Sequence, residues 1–379
     1  MPSDPVELLA GLVAIDSVNP DLVPGAAGES AIADFCADWL ARRGFEVHRV
    51  EEVAGRPSIV GVARGSGGGR SLMFNGHIDT VGVQGYDGNP LEPRRAGGRL
   101  HGRGSFDMKG GVAAMMVAAE RAVAAGLAGD VIVACVADEE YASFGTEQVV
   151  ARFRADAAIV TEPSHLEPTI AHRGFVWATV TIEGRAAHGS RPDLGIDAIA
   201  KAGHLLVGIE ALDRRLRANP THPLLGSGSV HVSLISGGQE LSSYPAECRI
   251  AIERRTIPGE NADLFVGELM EILDGLAACD PAFRWRLEKG LERPPFEVSP
   301  NEPIVAALTG AAAAVLGRAP TWRGEPFWTD CAILAEAGIP CVMFGGDGAG
   351  AHAATEWADE ASVRALADIL AQTAITFSR

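Results

Sequence analysis

The chain has 379 residues, of which 47% are hydrophobic and 21% are charged, so it has enough apolar material for two or three folded domains. Its formal net charge of −17 argues against a nucleic-acid partner, because phosphate groups would be repelled, and favours a small molecule or a protein.

The chain begins with MPSDPVELLAGLVAID, which has no basic segment before its apolar stretch and therefore does not resemble a secretory signal. The most apolar long stretch, 110–129, contains Glu120 and Arg121, which favours a buried helix over a membrane span. The six cysteines are scattered and include no CxxC pair. They are interpreted as reduced packing residues, and the protein is expected to be cytoplasmic.

The first part of the chain alternates short apolar runs with a helix candidate at 110–126. The predicted strands lie at 57–65, 71–77, 131–137, 156–163 and 339–346. Between the first two, GSGGG predicts a hairpin-like or loose turn. Near-continuous apolar strands that alternate with helices indicate an α/β domain with a mostly parallel sheet covered on both faces. Ligands of such domains gather beyond the carboxyl ends of the strands.

The middle of the chain has a different order of elements. Strands and amphipathic helices follow one another as β-α-β-β-α-β, at 175–184, 196–216, 229–237, 247–255, 262–279 and 283–290. This order is typical of a ferredoxin-like split-βαβ domain. We therefore predict a discontinuous α/β catalytic domain, residues 1–171 plus 291–379, interrupted by a smaller inserted domain at 172–290.

Polar residues follow the predicted strands of the first domain. They are His77 and Asp79 after 71–77, the run Asp138, Glu139 and Glu140 after 131–137, Glu162 in the run at 156–163, and His352 after 339–346, while Asp107 lies in a glycine-rich loop that begins the helix. Each is ordinary when taken alone, as a polar turn or a helix cap. Together they predict a metal site at one edge of the sheet, because histidine and carboxylate ligands suit zinc, manganese or cobalt.

Five such ligands hold two metals if one carboxylate bridges them, and paired metals about 3.5–4 Å apart assist hydrolysis. One glutamate of the adjacent pair can bind metal while its neighbour acts as a general base. An aspartate two residues after a histidine can hold the other imidazole nitrogen, which is the role expected for Asp79 beside His77.

The segments GHIDTV, GRGSFDMKGG, DEE, TEP and FGGDGAGAHAATEW, in this order, resemble the dinuclear zinc aminoacylase and carboxypeptidase family. That family includes acetylornithine deacetylase, succinyl-diaminopimelate desuccinylase and glutamate carboxypeptidase. The resemblance covers nearly the whole chain. It implies that His77, Asp107 and Glu162 bind one metal, and that Asp107, Glu140 and His352 bind the other. It also implies Glu139 as the general base and a cis peptide bond between Asp107 and Met108.

The resemblance also assigns roles within the inserted domain, which matches a dimerisation or lid domain. In GRAAHGSRPDLGIDAI, His188 corresponds to a histidine that enters the partner's active site and stabilises the oxyanion. In ERRTIPGE, Arg255 corresponds to an arginine that grips the substrate's free carboxylate, because Arg254 is expected on the other sheet face. Ser243 stands where the family often has asparagine, and FGGDGAG departs from the usual FGPG.

The implied function is that of a metal-dependent amidohydrolase that cleaves N-acyl amino acids or related small amides with metal-activated water. The expected cofactors are two divalent metal ions, with zinc preferred and cobalt or manganese as alternatives. The expected partners are a small substrate with a free carboxylate and a second copy of the chain, without nucleic acid or membrane. The alternatives are a dipeptidase or carboxypeptidase, an N-carbamoyl amino acid hydrolase, and a metal-bound binding protein without catalysis.

Overall fold

The structure is a computed structural model that describes residues 3–379. Its helices are α1 (Pro5–Val13), α2 (Ser30–Ala41), α3 (Gly110–Ala125), α4 (Phe144–Arg152), α5 (Ala198–Ala218), α6 (Ala262–Cys279), α7 (Pro303–Leu316), α8 (Cys331–Glu336) and α9 (Glu360–Phe377). An irregular turn, Ser105–Lys109, precedes α3.

Strands of the first 172 residues are β1 (Glu46–Val50), β2 (Ser58–Ala63), β3 (Leu72–His77), β4 (Arg94–Ala96), β5 (Arg99–His101), β6 (Val131–Val136), β7 (Ala157–Val160) and β8 (Thr169–His172). The later strands are β9 (Gly174–Glu183), β10 (Ser229–Gly237), β11 (Glu247–Thr256), β12 (Arg284–Arg293), β13 (Phe296–Glu297), β14 (Arg323–Glu325), β15 (Cys341–Met343), β16 (Gly348–Ala349) and β17 (Trp357–Asp359).

The chain forms two compact units. The first comprises residues 1–170, 298–323 and 329–379, and the second comprises residues 171–297 and 324–328. The predicted insertion at 172–290 lies inside the second unit.

The sheet of the first unit has the strand order β1-β2-β6-β3-β7-β15-β8. Its four central strands, β6, β3, β7 and β15, are parallel, and the strands outside them are antiparallel. Every residue of β2, β3 and β6 is buried, as expected for strands covered on both faces. The prediction of an α/β domain on a parallel central sheet is therefore confirmed.

The glycine-rich segment between β2 and β3 is not a hairpin. Strand β6 lies between them and pairs with both, so this segment crosses over a neighbouring strand. The hairpin option was wrong because strand neighbours depend on pairing with a segment about 60 residues further along the chain, which turn residues do not encode.

Helix α3 packs closely on the sheet because its first residues are glycines. A side chain on Gly111 would meet the backbone oxygen of Thr161 at 2.0 Å. Only a residue without a Cβ allows this approach. The close packing brings the turn before α3 to the end of β7, where Glu162 follows.

The second unit contains an antiparallel sheet in the order β10-β11-β9-β12, with α5 and α6 on one face. The inward-facing residues of β9 and β11 alternate along each strand and include Val176, Val180, Ile250 and Ile252. They form a core with residues of the two helices, such as Leu205 of α5 and Phe265 of α6. This is the ferredoxin-like βαββαβ arrangement predicted from the order of elements. No helix within residues 3–379 is long and apolar enough to cross a membrane.

Candidate metal centre

The predicted ligands meet at the carboxyl edge of the four parallel strands. His77 ends β3, Glu139 and Glu140 follow β6, and Glu162 follows β7. Parallel strands bring their carboxyl ends to the same edge, so these side chains converge. The sequence spacing alone predicted this part of the site.

A small antiparallel sheet brings in the other two predicted ligands. His352 lies between β16 and β17, and Asp107 lies in the turn that follows β5. Strand β17 pairs with β5, so the two loops lie side by side. The sequence analysis did not predict this sheet, because its strands are only two or three residues long.

The carboxylate of Asp107 lies between the two histidines. Its Oδ1 is 3.2 Å from Nε2 of His77, and its Oδ2 is 3.2 Å from Nε2 of His352. Each oxygen therefore faces a different imidazole, which is the arrangement of a carboxylate that bridges two cations.

The other carboxylates extend this pair of positions. Nε2 of His77 is 3.4 Å from Glu162 Oε1 and 4.0 Å from Glu139 Oε2, and Nε2 of His352 is 3.0 Å from Glu140 Oε2. Two overlapping groups have ligand atoms close enough to share a metal ion; they are His77, Glu139 and Glu162, and His77, Asp107 and Glu140. In the first group, a carboxylate oxygen of Glu139 lies close enough to His77 and Glu162 to share a metal ion with them.

The electrostatics of the cluster fit divalent cations. Burial, together with the charge on Glu162, raises the pKa of Glu139 well above its usual range, and burial likewise raises the pKa of Glu162. Hydrogen bonds to Asp107 and Glu140 raise the pKa of His352 to about 10. Buried Oε1 of Glu140 has no hydrogen-bond partner among the described residues. Protons and divalent cations therefore compete for the same ligand atoms, and the site fits a pair of metal ions.

Asp79 contacts the second imidazole nitrogen of His77 with its backbone oxygen and, at a longer distance, with its carboxylate. The backbone oxygen of Asp79 lies 2.9 Å from Nδ1 of His77, whereas its carboxylate oxygen lies 3.5 Å away. The carboxylate also accepts hydrogen bonds from the backbone N–H groups of Glu139 (3.2 Å) and Glu140 (3.3 Å). Asp79 therefore positions both the imidazole and the loop that carries the two glutamates.

A buried network that the sequence analysis missed supports this loop. Asn19 donates to Asp79 (2.8 Å) and to Asp138 (3.0 Å). Arg56 donates to Asp138 (2.9 Å) and, through two nitrogens, to Glu29 (2.5 and 2.7 Å). No local pattern marks these residues, because their partners lie between 27 and 119 positions away along the chain.

Glu356 is a further residue without a predicted role. Its carboxylate is fully buried and accepts backbone hydrogen bonds from Gly104 (2.9 Å), Phe106 (2.9 Å) and Asp107 (3.0 Å), as well as one from Arg103 (2.8 Å). It thus links the loop of His352 to the turn of Asp107. In the sequence, the available signal for this role of Glu356 was the segment TEW that follows His352. The expected cis peptide bond between Asp107 and Met108 is present.

The predicted residues of the second unit form two separate groups. His188 and Ser243 lie opposite each other in an isolated β-bridge, with His188 Nδ1 2.8 Å from Ser190 Oγ. Arg255 lies at the other end of β11, paired with Glu253 at 2.9 Å. Eight residues of strand separate Glu247, at the beginning of β11, from Arg255, which corresponds to about 26 Å.

Arg255 points away from the core of the second unit, as the alternation of the strand predicted. Its neighbour Arg254 is fully buried and pairs with Glu260 at 2.9 Å. The side chain of Arg255 is 31% exposed, and its guanidinium lies 5.4 Å from the ring centre of Phe175.

Comparison with known proteins places these observations in a family. The model of peptidase family M20/M25/M40 matches residues 73–376. The chain is 31% identical to acetylornithine deacetylase of Myxococcus xanthus, over 92% of this chain and 91% of the relative. It is 29% identical to N-formyl-4-amino-5-aminomethyl-2-methylpyrimidine deformylase of Bacillus subtilis, over 88% of this chain and 86% of the relative.

Solved structures share the fold. An aminopeptidase from Bacillus cereus superposes with a TM-score of 0.81 at 19% identity and covers 98% of this chain and 97% of its own. A dinuclear metal binding peptidase of the M20 family from Bacillus subtilis superposes with a TM-score of 0.76 at 17% identity, covering 98% and 97%.

The chain therefore belongs to peptidase family M20/M25/M40, which confirms the resemblance seen in its motifs. It is a metal-dependent hydrolase that acts on C–N bonds of the amide or peptide type.

Proposed function

We propose that this protein is a two-metal amidohydrolase that removes a small acyl group from the nitrogen of an amino compound. The observation that carries the proposal is the position of Asp107, whose two carboxylate oxygens each lie 3.2 Å from a different histidine. Glu139 stands beside this bridge and is not needed to complete either ligand set.

These contacts support the following ligand assignment. His77, Asp107 and Glu162 would hold one cation, and Asp107, Glu140 and His352 would hold the other, with zinc the expected metal and cobalt or manganese as alternatives. When bound, the two cations polarise the amide carbonyl and lower the pKa of a water molecule.

A residue of the chain itself transfers the proton of the attacking water. Glu139 accepts a proton from the attacking water through its carboxylate and returns it to the leaving nitrogen. Asp79 fixes the loop of Glu139 in place, because its carboxylate accepts hydrogen bonds from the backbone N–H groups of both Glu139 and Glu140. Precise placement of this carboxylate is what general-base catalysis requires.

Residues of the second unit bind the substrate. Arg255 grips its free carboxylate with a planar guanidinium, while His188 donates a hydrogen bond to the oxyanion and Ser243 assists. His188 and Ser243 lie beyond the beginning of β11, and the strand from Glu247 to Arg255 is about 26 Å long, so one small substrate does not reach both groups of the same chain. This separation supports a partner subunit as the source of His188 and Ser243.

A homodimer through the second unit fits its surface. Strand β10 is an edge strand of its sheet, and Leu234 and Ile235 on it are 71% and 52% exposed. Val207 on α5, the helix that packs against β10, is 62% exposed. An apolar, unpaired strand edge favours pairing with a second copy.

The substrate class is a small N-acyl amine, such as an N-acyl amino acid. The two curated relatives named above are a deacetylase and a deformylase, both of which remove a small acyl group from an amine. A dipeptidase is the second candidate, since human carnosine dipeptidase 1 shares the fold at a TM-score of 0.76. The carbamoyl hydrolase and the binding protein without catalysis rank below both.

One screen separates these candidates. The protein is freed of metal with a chelator, loaded with zinc, cobalt or manganese, and assayed against N-formyl and N-acetyl amino compounds, N-carbamoyl amino acids and dipeptides. We expect turnover of the formyl or acetyl series above all others. Turnover of dipeptides alone supports the second candidate, and metal uptake without any turnover supports a binding protein. A cytoplasmic location is part of the proposal and is consistent with six free cysteines.

A further inference from the structure

Three of the segments that carry predicted metal ligands also contribute side chains to a second cluster. Phe106 directly precedes Asp107, His165 lies three residues after Glu162, and Asp347 lies five residues before His352. The metal centre as proposed makes no use of Phe106, His165 or Asp347, which we call the rim cluster.

The three residues of the rim cluster lie next to one another. Nδ1 of His165 lies 2.6 Å from Oδ1 of Asp347. The ring of His165 lies 6.0 Å from the ring of Phe106. A side chain on Gly348 would meet the Phe106 ring at 2.6 Å, so this glycine allows the loop of Asp347 to lie against the aromatic ring. The cluster is therefore a defined arrangement at the side of the metal ligands.

The backbone of Asp347 is held from both sides. Its N–H donates to Ser362 Oγ (2.9 Å), and its carbonyl oxygen accepts from the N–H of Asp359 (2.8 Å). The carboxylate itself accepts the N–H of Gly348 at Oδ1 (2.8 Å), the same oxygen that faces His165. Since Asp347 is 53% exposed and both contacts fall on Oδ1, its Oδ2 remains open to a donor from solution.

A carboxylate beside an aromatic ring is a combination that selects positive charge. The carboxylate accepts charge-assisted hydrogen bonds, and an aromatic face attracts a cation through its quadrupole. The net charge of −17 reinforces the attraction of a cation to the protein. Phosphate or carboxylate groups would be repelled at this position.

We propose that Phe106, His165 and Asp347 form a subsite for a positively charged or N–H-rich group of the substrate, such as an ammonium or an aminopyrimidine. This inference rests on the proposed function and names the substrate class that the metal centre acts on. Asp347 accepts the hydrogen bonds, His165 fixes its carboxylate, and Phe106 supplies the aromatic surface.

The test compares two substrates of equal shape, N-acetyl-ornithine and N-acetyl-norleucine, which differ only in an ammonium or a methyl at the end of the side chain. For wild-type protein loaded with metal, we expect kcat/KM to favour the ammonium by about tenfold or more. Asp347→Asn is expected to reduce this ratio to near one, mainly through KM, and Asp347→Glu to restore part of it.

The matched control is Asp38→Asn, which removes an exposed carboxylate on α2, outside every loop with a predicted metal ligand. The ratio should not change in this variant. Calorimetry with free ornithine and norleucine measures the same preference without turnover, so it decides the subsite even if neither substrate is cleaved. A wild-type ratio near one in both measurements, or a ratio that survives Asp347→Asn, overturns the subsite. Absence of hydrolysis with a clear calorimetric preference overturns the proposed function instead.

Discussion

In the first unit, residues from distant parts of the sequence lie within about 3 to 4 Å of one another around Asp107, whereas in the second unit Arg255 lies near one end of β11 and His188 lies beyond the other end, opposite Ser243. His77 and Glu162 are also almost completely buried, while His188 is exposed and Ser243 is partly exposed. Under the proposed function, the first group holds the metal ions within one chain, whereas the second depends on a partner subunit to bring His188 and Ser243 to the substrate.

This difference reflects two ways of building a site. Buried carboxylates are costly unless they are paired, so a cluster of them is surrounded by supporting contacts such as those of Asp79 and Glu356. Exposed residues such as His188 carry no such requirement, and their positions depend on what binds to them. Substitutions in the two regions are therefore expected to differ in both the size and the kind of their effect.

Glu139→Ala is expected to have the largest effect. Loss of the general base should lower kcat by about 10³- to 10⁴-fold, while two equivalents of metal remain bound, because neither proposed ligand set includes this carboxylate. Metal content and turnover are measured on the same sample. Glu52→Ala, which removes an exposed carboxylate, is the control and should keep both values. An active Glu139→Ala variant would contradict the assignment of Glu139 as the general base.

His188→Ala is expected to lower kcat by about 10²-fold, because one donor to the oxyanion is lost. Metal content and the free energy of unfolding should stay the same, since the side chain is exposed.

A mixture of the two inactive variants tests whether His188 acts on the partner. In a dimer of one His188→Ala chain and one Glu139→Ala chain, one site has both residues if His188 acts in trans. Random mixing should then restore about a quarter of wild-type activity. If His188 acts within its own chain, the mixture stays as inactive as the separate variants.

Arg56→Met is expected to affect stability more than catalysis. The variant leaves the buried carboxylates of Glu29 and Asp138 without their cation, which should lower the free energy of unfolding by about 3 kcal/mol. Denaturation in urea measures this change. Arg42→Met, which breaks an exposed pair with Asp38, should change it by less than about 1 kcal/mol. Equal effects of the two substitutions would contradict the role given to the buried network.

Arg255→Lys is expected to have the smallest effect. Lysine keeps the charge but loses the planar pair of donors, so KM should rise about tenfold for substrates with a free carboxylate, with little change in kcat. Substrates in which this carboxylate is amidated serve as the control, because wild type and variant should treat them alike. An unchanged KM for the free carboxylate would show that Arg255 binds something else.

Much of the first unit was predictable because its signals are local. Fully apolar runs predicted β3, β6 and β7, and the polar residues that follow them include four of the six residues around the metal site. His352 was predicted from its place after the run at 339–346 and Asp107 from a glycine-rich loop, and their proximity depends on the pairing of β5 with β17. The ferredoxin-like order of the second unit was equally clear, because its strands alternate and its helices are amphipathic.

The fold class, the family and the type of ligand could be predicted from the sequence, since these depend on residue type and spacing within short segments. The three-dimensional structure was needed to see that β6 lies between β2 and β3, that Asp79 supports the loop of Glu139, and that Arg56, Asn19 and Glu356 support the loops with the predicted metal ligands. These contacts join residues that are from about 60 to about 250 positions apart in the sequence. No local pattern encodes such pairs, because burial selects the partner that satisfies a charge or a hydrogen bond wherever the fold brings it.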